Sequence, residues 1–142
     1  MSKEPLNCDM NLHRNHYAYS IAIRLSANKG FGMFADEYIP PNHLICSNLA
    51  RPLPKHVNNS DMDVFQYFFA APQVMPETSY LIVSGEMMFI NHDDEPKAQV
   101  SWRQNQTGLY YADLFSIKEI KKGSEITIQY KEINRYYSEG CI

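Results

Sequence analysis

Cysteine is scarce in this 142-residue chain: Cys8, Cys46 and Cys141 stand far apart, with no CxxC pair. That spacing excludes a disulfide framework and a two-pair zinc ribbon, and it fits a reducing, intracellular compartment, cytoplasm or nucleus. Long apolar runs are missing too. No stretch approaches the roughly 18 residues that a bilayer-spanning helix needs, and residues 1–16, with Lys3, Glu4, Asp9 and Arg14, lack a signal-peptide core. Nor is there a basic block: 13 Lys and Arg against 16 Asp and Glu leave a net charge of −3. Direct nucleic-acid or anionic-membrane binding is therefore not expected. The GxGxxG, Walker, Gly-x-Ser-x-Gly and His-Glu-x-x-His patterns are absent as well. What is present is the composition of a soluble globular domain, 44% hydrophobic and 20% charged, with tyrosine unusually common at ten copies.

At about 100–200 residues per domain, the length allows one domain. Residues 1–16 read as a polar, flexible arm and residues 17–142 as a single folded unit. Tyr17, Tyr19, Ile21, Ile23 and Leu25 recur at every second position, which predicts a half-buried strand with an apolar face. Turn chemistry at Ser26–Gly30 breaks it. A short segment at Phe31–Ala35 follows, and strands are expected at Leu44–Cys46, Tyr80–Val83 and Ile126–Tyr130. Ala98–Arg103 and Leu109–Phe115 read as a hairpin around Gln104–Gly108. Residues 49–63, with Pro52, Pro54, Asn58 and Asn59, read as loop, and Asp63–Ala70 suits a short helix or a strand equally. Lys121–Ser124 reads as a turn and the last dozen residues as a helical turn. Many short strands between turns predict a mainly β fold of small sheets with little helix.

Several local features could carry chemistry. Gly30-Phe31-Gly32 is either a tight turn needing positive φ or a place where a ligand lies against backbone N–H and C=O groups. Asn91-His92 either shapes a loop or pairs an amide with an imidazole to fix a polar ligand. The triplet Asp93-Asp94-Glu95 invites a metal, but adjacent carboxylates without spacing point in different directions. Tyr130, with Tyr136 and Tyr137 close behind, is either an aromatic core plug or a phenol at a pocket mouth. Cys8, His13 and His16 are irregularly spaced and lack a fourth ligand, so no metal site is expected from them. Cys46 reads as a small core hydrophobe.

Taken in order, these pieces resemble a SET domain, the fold of most protein lysine methyltransferases. Lys29-Gly30-Phe31-Gly32-Met33-Phe34-Ala35, followed by Ile39-Pro40, is similar to the family's opening G-x-G-hydrophobic-F-A stretch. Gly85–Ala98, GEMMFINHDDEPKA, resembles its G-x-x-x-(F/R)-hydrophobic-N-H-S-x-x-P-N-A motif. Ile117–Tyr130, IKEIKKGSEITIQY, resembles I-x-x-I-x-x-G-E-E-(I/L)-T-x-x-Y. The resemblance covers about residues 17–137. It implies several small sheets around a C-terminal pseudoknot, in a compact, stand-alone version without zinc-binding flanks. It also implies that S-adenosylmethionine, with no metal, lies against Lys29, Gly30, Phe31 and Gly32 and is held by Asn91 and His92. Tyr136 or Tyr137 would cover it. Tyr137 falls beside the substrate channel, whose catalytic residue is Tyr130. The implied partner is a lysine-bearing peptide or protein, a histone among the candidates, entering from the opposite face and pairing as an added strand.

On that resemblance the reaction is an in-line displacement, so the lysine amine must be neutral and about 3–3.5 Å from the methyl carbon. Lysine ordinarily titrates near about 10.4, and a desolvated channel beside a sulfonium pushes that value down. Tyr130 and backbone carbonyls would orient the amine. Three positions depart from the family pattern: Asp93 for Ser, Lys97 for Asn, and Ser124 for the first Glu of the Gly-Glu-Glu turn. The alternative is a catalytically silent SET-like module that holds peptide or cofactor without turnover. Retention of Asn91, His92 and Tyr130 favours the enzyme.

Overall fold

The computed structural model describes residues 12–27, 30–53, 68–70 and 80–130. Its strands are β1 (His16–Tyr17), β2 (Ile21–Ser26), β3 (Gly30–Ala35), β4 (Leu44–Pro52), β5 (Phe68–Ala70), β6 (Tyr80–Val83), β7 (Asn91–His92), β8 (Ala98–Gln104), β9 (Tyr110–Ser116) and β10 (Glu125–Ile128), with a 3-10 turn at Gly85–Phe89. Two sheets result. The larger runs β5-β6-β4-β9-β8, with β1 laid against β4, and the smaller runs β2-β3-β10-β7. The mainly β expectation therefore holds. The pseudoknot implied by the resemblance draws on the C-terminal segment, and residues 131–142 lie outside the described residues.

The alternating run from Tyr17 to Leu25 forms two strands. Tyr17 pairs with Cys46 in the large sheet, whereas Ile21–Ser26 pair with Ala35–Gly30 in the small one. Between them, Ser20 N–H donates to the Glu37 carboxylate and Asp36 N–H to Ser20 O, which carries the chain across. The period of two survives the crossing, because Tyr17, Tyr19, Ile21 and Ile23 all pack on the core. Leu25 does not: it is 72% exposed, opposite Phe31 at the end of the hairpin that runs past the core. Asn15 and His16, read from sequence as part of the arm, are engaged by β4. His16 pairs with Ser47, and Asn15 Oδ1 accepts the Leu49 N–H.

β4 extends to Pro52, through residues expected to be loop. It lies at the centre of the large sheet, pairing with β9 over Leu44–Ala50 and with β6 over Ala50–Pro52. The buried polar pair Ser47 and Asn48 hides its apolar pattern. The β8–β9 hairpin forms as expected, closed by Asn105, whose Oδ1 accepts the N–H groups of Thr107 and Leu109. Of the Asp63–Ala70 segment, Phe68–Ala70 is strand β5; residues 63–67 lie outside the described residues.

The shared core holds Met33, Ile39, Ile45, Leu81, Met87, Leu114, Ile120 and Ile126, all fully buried. Each such side chain contributes about 1.5–3 kcal/mol through apolar burial. Ile39 and Ile120 also exchange both backbone hydrogen bonds, which fastens the loop after β3 to the loop before β10.

Candidate active site

β10 serves two partners. Glu125 and Ile126 pair antiparallel with Phe34 and Met33 of β3, while Thr127 and Ile128 pair in parallel with Asn91 and His92 of β7. Gly30–Gly32 lies beyond the β10 pairing and keeps Ser26, Leu25 and Arg24 of β2 as its register partners. The Asn91 amide spans the opening. Its Nδ2 donates to Phe31 O at 3.2 Å and to Glu125 Oε2 at 2.7 Å. Both acceptors are carbonyl or carboxylate oxygens, which fixes the amide orientation and leaves Oδ1 as its acceptor. The other Glu125 oxygen accepts from the Ser26 hydroxyl at 2.7 Å. A Cβ on Gly32 would stand 2.3 Å from Glu125 Oε2 and 2.8 Å from Asn91 Nδ2, so residue 32 must be glycine for this cluster to close.

His92 is buried beside it. Its Nδ1 accepts the Tyr130 N–H at 2.9 Å, and its Nε2 lies 2.7 Å from Asp94 Oδ1. The His92 and Tyr130 rings are tilted at 58° with centroids 5.3 Å apart. The Tyr130 phenol donates to Ile90 O at 2.6 Å. Burial, and then the Glu125 charge, pushes that phenol up to about 12, so it stays protonated at neutral pH. The site thus combines bare backbone at residues 30–32, an amide oxygen, and a neutral phenol against a carbonyl. Asp94 and Glu125 set carboxylates against His92 and Asn91, which favours a cationic, hydrogen-bond-donating ligand.

Of the residues expected from sequence, Gly30, Phe31, Gly32, Asn91, His92 and Tyr130 come together here. Lys29, Tyr136 and Tyr137 lie outside the described residues, as does Cys8. His16 pairs in β1, and the His13 ring nitrogen Nδ1 lies 3.4 Å from Asn105 Nδ2. Among the described residues no three His, Cys, Asp or Glu side chains are grouped to hold a metal. Cys46 is fully buried, and burial pushes its thiol up to about 12, as suits a core residue rather than a nucleophile.

Of the departures from the family pattern, Lys97 and Ser124 act through backbone groups and Asp93 through its side chain. Asp93 Oδ1 accepts the Glu95 N–H, a turn that a serine hydroxyl also makes. Lys97 donates its N–H to Thr127 Oγ1 and accepts from Ile117 N–H, while Ser124 accepts from Ala35 N–H. Two contributors are not assigned to this site from sequence: Glu125, and Asp94, which reads there only as one of an acidic triplet. Glu125 stands inside a quoted motif, opposite Gly32. Asp94 carries only its place two residues after His92.

The SET-domain family model matches residues 30–131, most of the chain and all of this site. This chain belongs to the SET-domain family. It is 27% identical over 134 residues to the histone-lysine N-methyltransferase Set2 of Drosophila melanogaster; the match takes in 87% of this chain but 6% of that much longer relative. The fold is shared with the histone lysine methyltransferase DIM-5 of Neurospora, at a TM-score of 0.63 and 19% identity over 81% of this chain and 53% of that one. KRYPTONITE, solved with DNA, an H3(1–15) peptide and S-adenosylhomocysteine (SAH), superposes at a TM-score of 0.59 with 26% identity, over 81% of this chain and 24% of that one.

Proposed function

We propose that this SET domain is an S-adenosylmethionine-dependent protein-lysine N-methyltransferase. The observation that carries the reading is the meeting of three distant segments, Gly30–Gly32, Asn91–His92 and Tyr130, at the junction of β3, β10 and β7. S-adenosylmethionine, when bound, supplies a methyl group activated by a sulfonium. The residues present suit it. The Asn91 carbonyl oxygen offers an acceptor to an ammonium, with the Glu125 carboxylate 2.7 Å behind the amide nitrogen. Gly30 and Phe31 are exposed, and among the described residues nothing lies within 4 Å of where a Cβ on Gly30 would be, so backbone there is open to a ligand. Lys29 and Tyr136 are proposed as further cofactor-binding residues.

Tyr130 acts on the acceptor amine. A phenol oxygen both donates and accepts; with its proton directed to Ile90 O, it meets an incoming amine as an acceptor and orients the nitrogen lone pair. The desolvation that raises the phenol also disfavours a charged lysine, and a neutral amine is the form that attacks. Oxygens fixed around the amine and methyl stabilise the positive charge spread in the transition state. Tyr137 is proposed to wall the channel. The substrate class proposed is a lysine-bearing basic peptide such as a histone tail. The net charge of −3 and the carboxylates of Asp94 and Glu125 support it, as do the Drosophila relative and the H3 peptide seen with KRYPTONITE.

The test is incubation with methyl-labelled S-adenosylmethionine and histone H3 peptides, alongside calorimetric titration of SAH. Label on a lysine together with saturable binding is expected. Binding without transfer to any lysine would favour the silent module, and neither binding nor transfer would reject both.

A further inference from the structure

We propose that Asp94 is a positioning residue, holding His92 in the tautomer and orientation that anchor Tyr130; this rests on the methyltransferase reading above. A backbone N–H can only donate, so the Tyr130 N–H at 2.9 Å requires an unprotonated Nδ1 on His92. The ring proton then belongs on Nε2, which is where Asp94 Oδ1 waits at 2.7 Å. A carboxylate only accepts, so it selects the Nε2–H form, and the pair fixes which nitrogen carries the proton. The opposite tautomer would set Nδ1–H against Tyr130 N–H, donor to donor. That repulsion falls on the backbone of the residue whose phenol touches Ile90 O.

The loop is shaped to deliver Asp94. Asp93 N–H donates to Ile128 O at 2.9 Å, tying the loop to β10, and Asp93 Oδ1 accepts the Glu95 N–H, turning the chain back. Asp94 is thereby directed over a ring whose side chain is only 7% exposed, while its own side chain is 78% exposed. Asp93 and Asp94 thus have separate tasks. Because Asp94 touches solvent more than core, replacing it tests orientation with little cost to folding, and the same exposure keeps the effect moderate.

The experiment compares Asp94→Asn and Asp94→Ala with the parent chain in three readouts: kcat and KM for methyl transfer, SAH affinity, and the ring nitrogen NMR signals of His92. Asparagine can accept from Nε2–H or donate to a bare Nε2, so it admits either tautomer. We expect kcat to fall about threefold to fivefold in both variants. SAH affinity and peptide KM should stay within about twofold, and the ring signals should move from a pure Nε2–H pattern toward a mixture. An unchanged kcat, an unchanged ring pattern, or a fall explained by lost SAH binding would overturn the proposal. A parent chain that neither binds SAH nor transfers methyl rejects the enzyme reading itself, and the positioning role falls with it. The ring signals would then still report whether Asp94 holds His92.

Discussion

Two glycines in this domain are each enclosed by polar side chains, to different ends. Around Gly85, whose φ is +75°, a Cβ would stand 2.4 Å from the Tyr17 hydroxyl, 2.6 Å from Asn15 Nδ2 and 2.7 Å from Asn48 Nδ2. These groups are pinned: Tyr17 donates to Glu86, Asn48 donates to Ser84 O, and Asn15 Oδ1 accepts from Leu49 N–H and the Ser84 hydroxyl. Around Gly32 the neighbours are Glu125 and Asn91, and there the network ends on an amide oxygen with no hydrogen bond of its own among the described residues. The first cluster turns inward and ties Asn15 and β1 to the turn before β7. The second presents an acceptor. Similar crowding around a glycine thus serves stability in one place and ligand recognition in the other.

That contrast predicts separable effects. Gly85→Ala meets both an unfavourable backbone conformation and pinned neighbours, and should lose about 2–4 kcal/mol in urea unfolding. Gly32→Ala should leave the fold standing but cost at least about tenfold in SAH affinity by titration, since Asn91 and Glu125 must move. Equal loss of stability in the two variants would break the distinction. Tyr17→Phe removes a hydroxyl on which Asn48 and Glu86 converge, and should cost about 1 kcal/mol while leaving methyl transfer unchanged.

A smaller effect reads both regions together. Burial raises Cys46 in the large sheet from 9.0, and Tyr130 in the site from 10.0, each to about 12. Folding therefore favours their neutral forms. Their contribution is fully present below pH 9 and is lost as pH rises to about 12, because the unfolded chain gives up these protons first. Tm measured across that range should fall, and Cys46 should resist thiol labelling until the chain unfolds.

Much of the site could be read from sequence, because backbone-exposing glycines, an adjacent amide and imidazole, and a strand-end tyrosine are local patterns. The β8–β9 hairpin could be read too, because the turn chemistry at Gln104–Gly108 lies between two strand-forming segments. β4 could not, since Ser47 and Asn48 place polar atoms where a central strand should be apolar. The division of Tyr17–Leu25 between two sheets was equally hidden, because crossing at Ser20 leaves the alternation intact. Asp94 and Glu125 were missed for a different reason. Glu125 meets Asn91 only because β7 and β10 lie side by side, which no spacing along the chain encodes, and Asp94 meets His92 two residues away only because the turn at Asp93–Glu95 folds it back over the ring.

The most direct test of the account is methyl transfer by Tyr130→Phe beside the parent chain. Phenylalanine keeps the ring against His92 and the packing on the core, and removes only the hydroxyl that meets Ile90 O. The account predicts unchanged SAH binding and a fall in transfer of at least about a hundredfold. Undiminished transfer by that variant would contradict it.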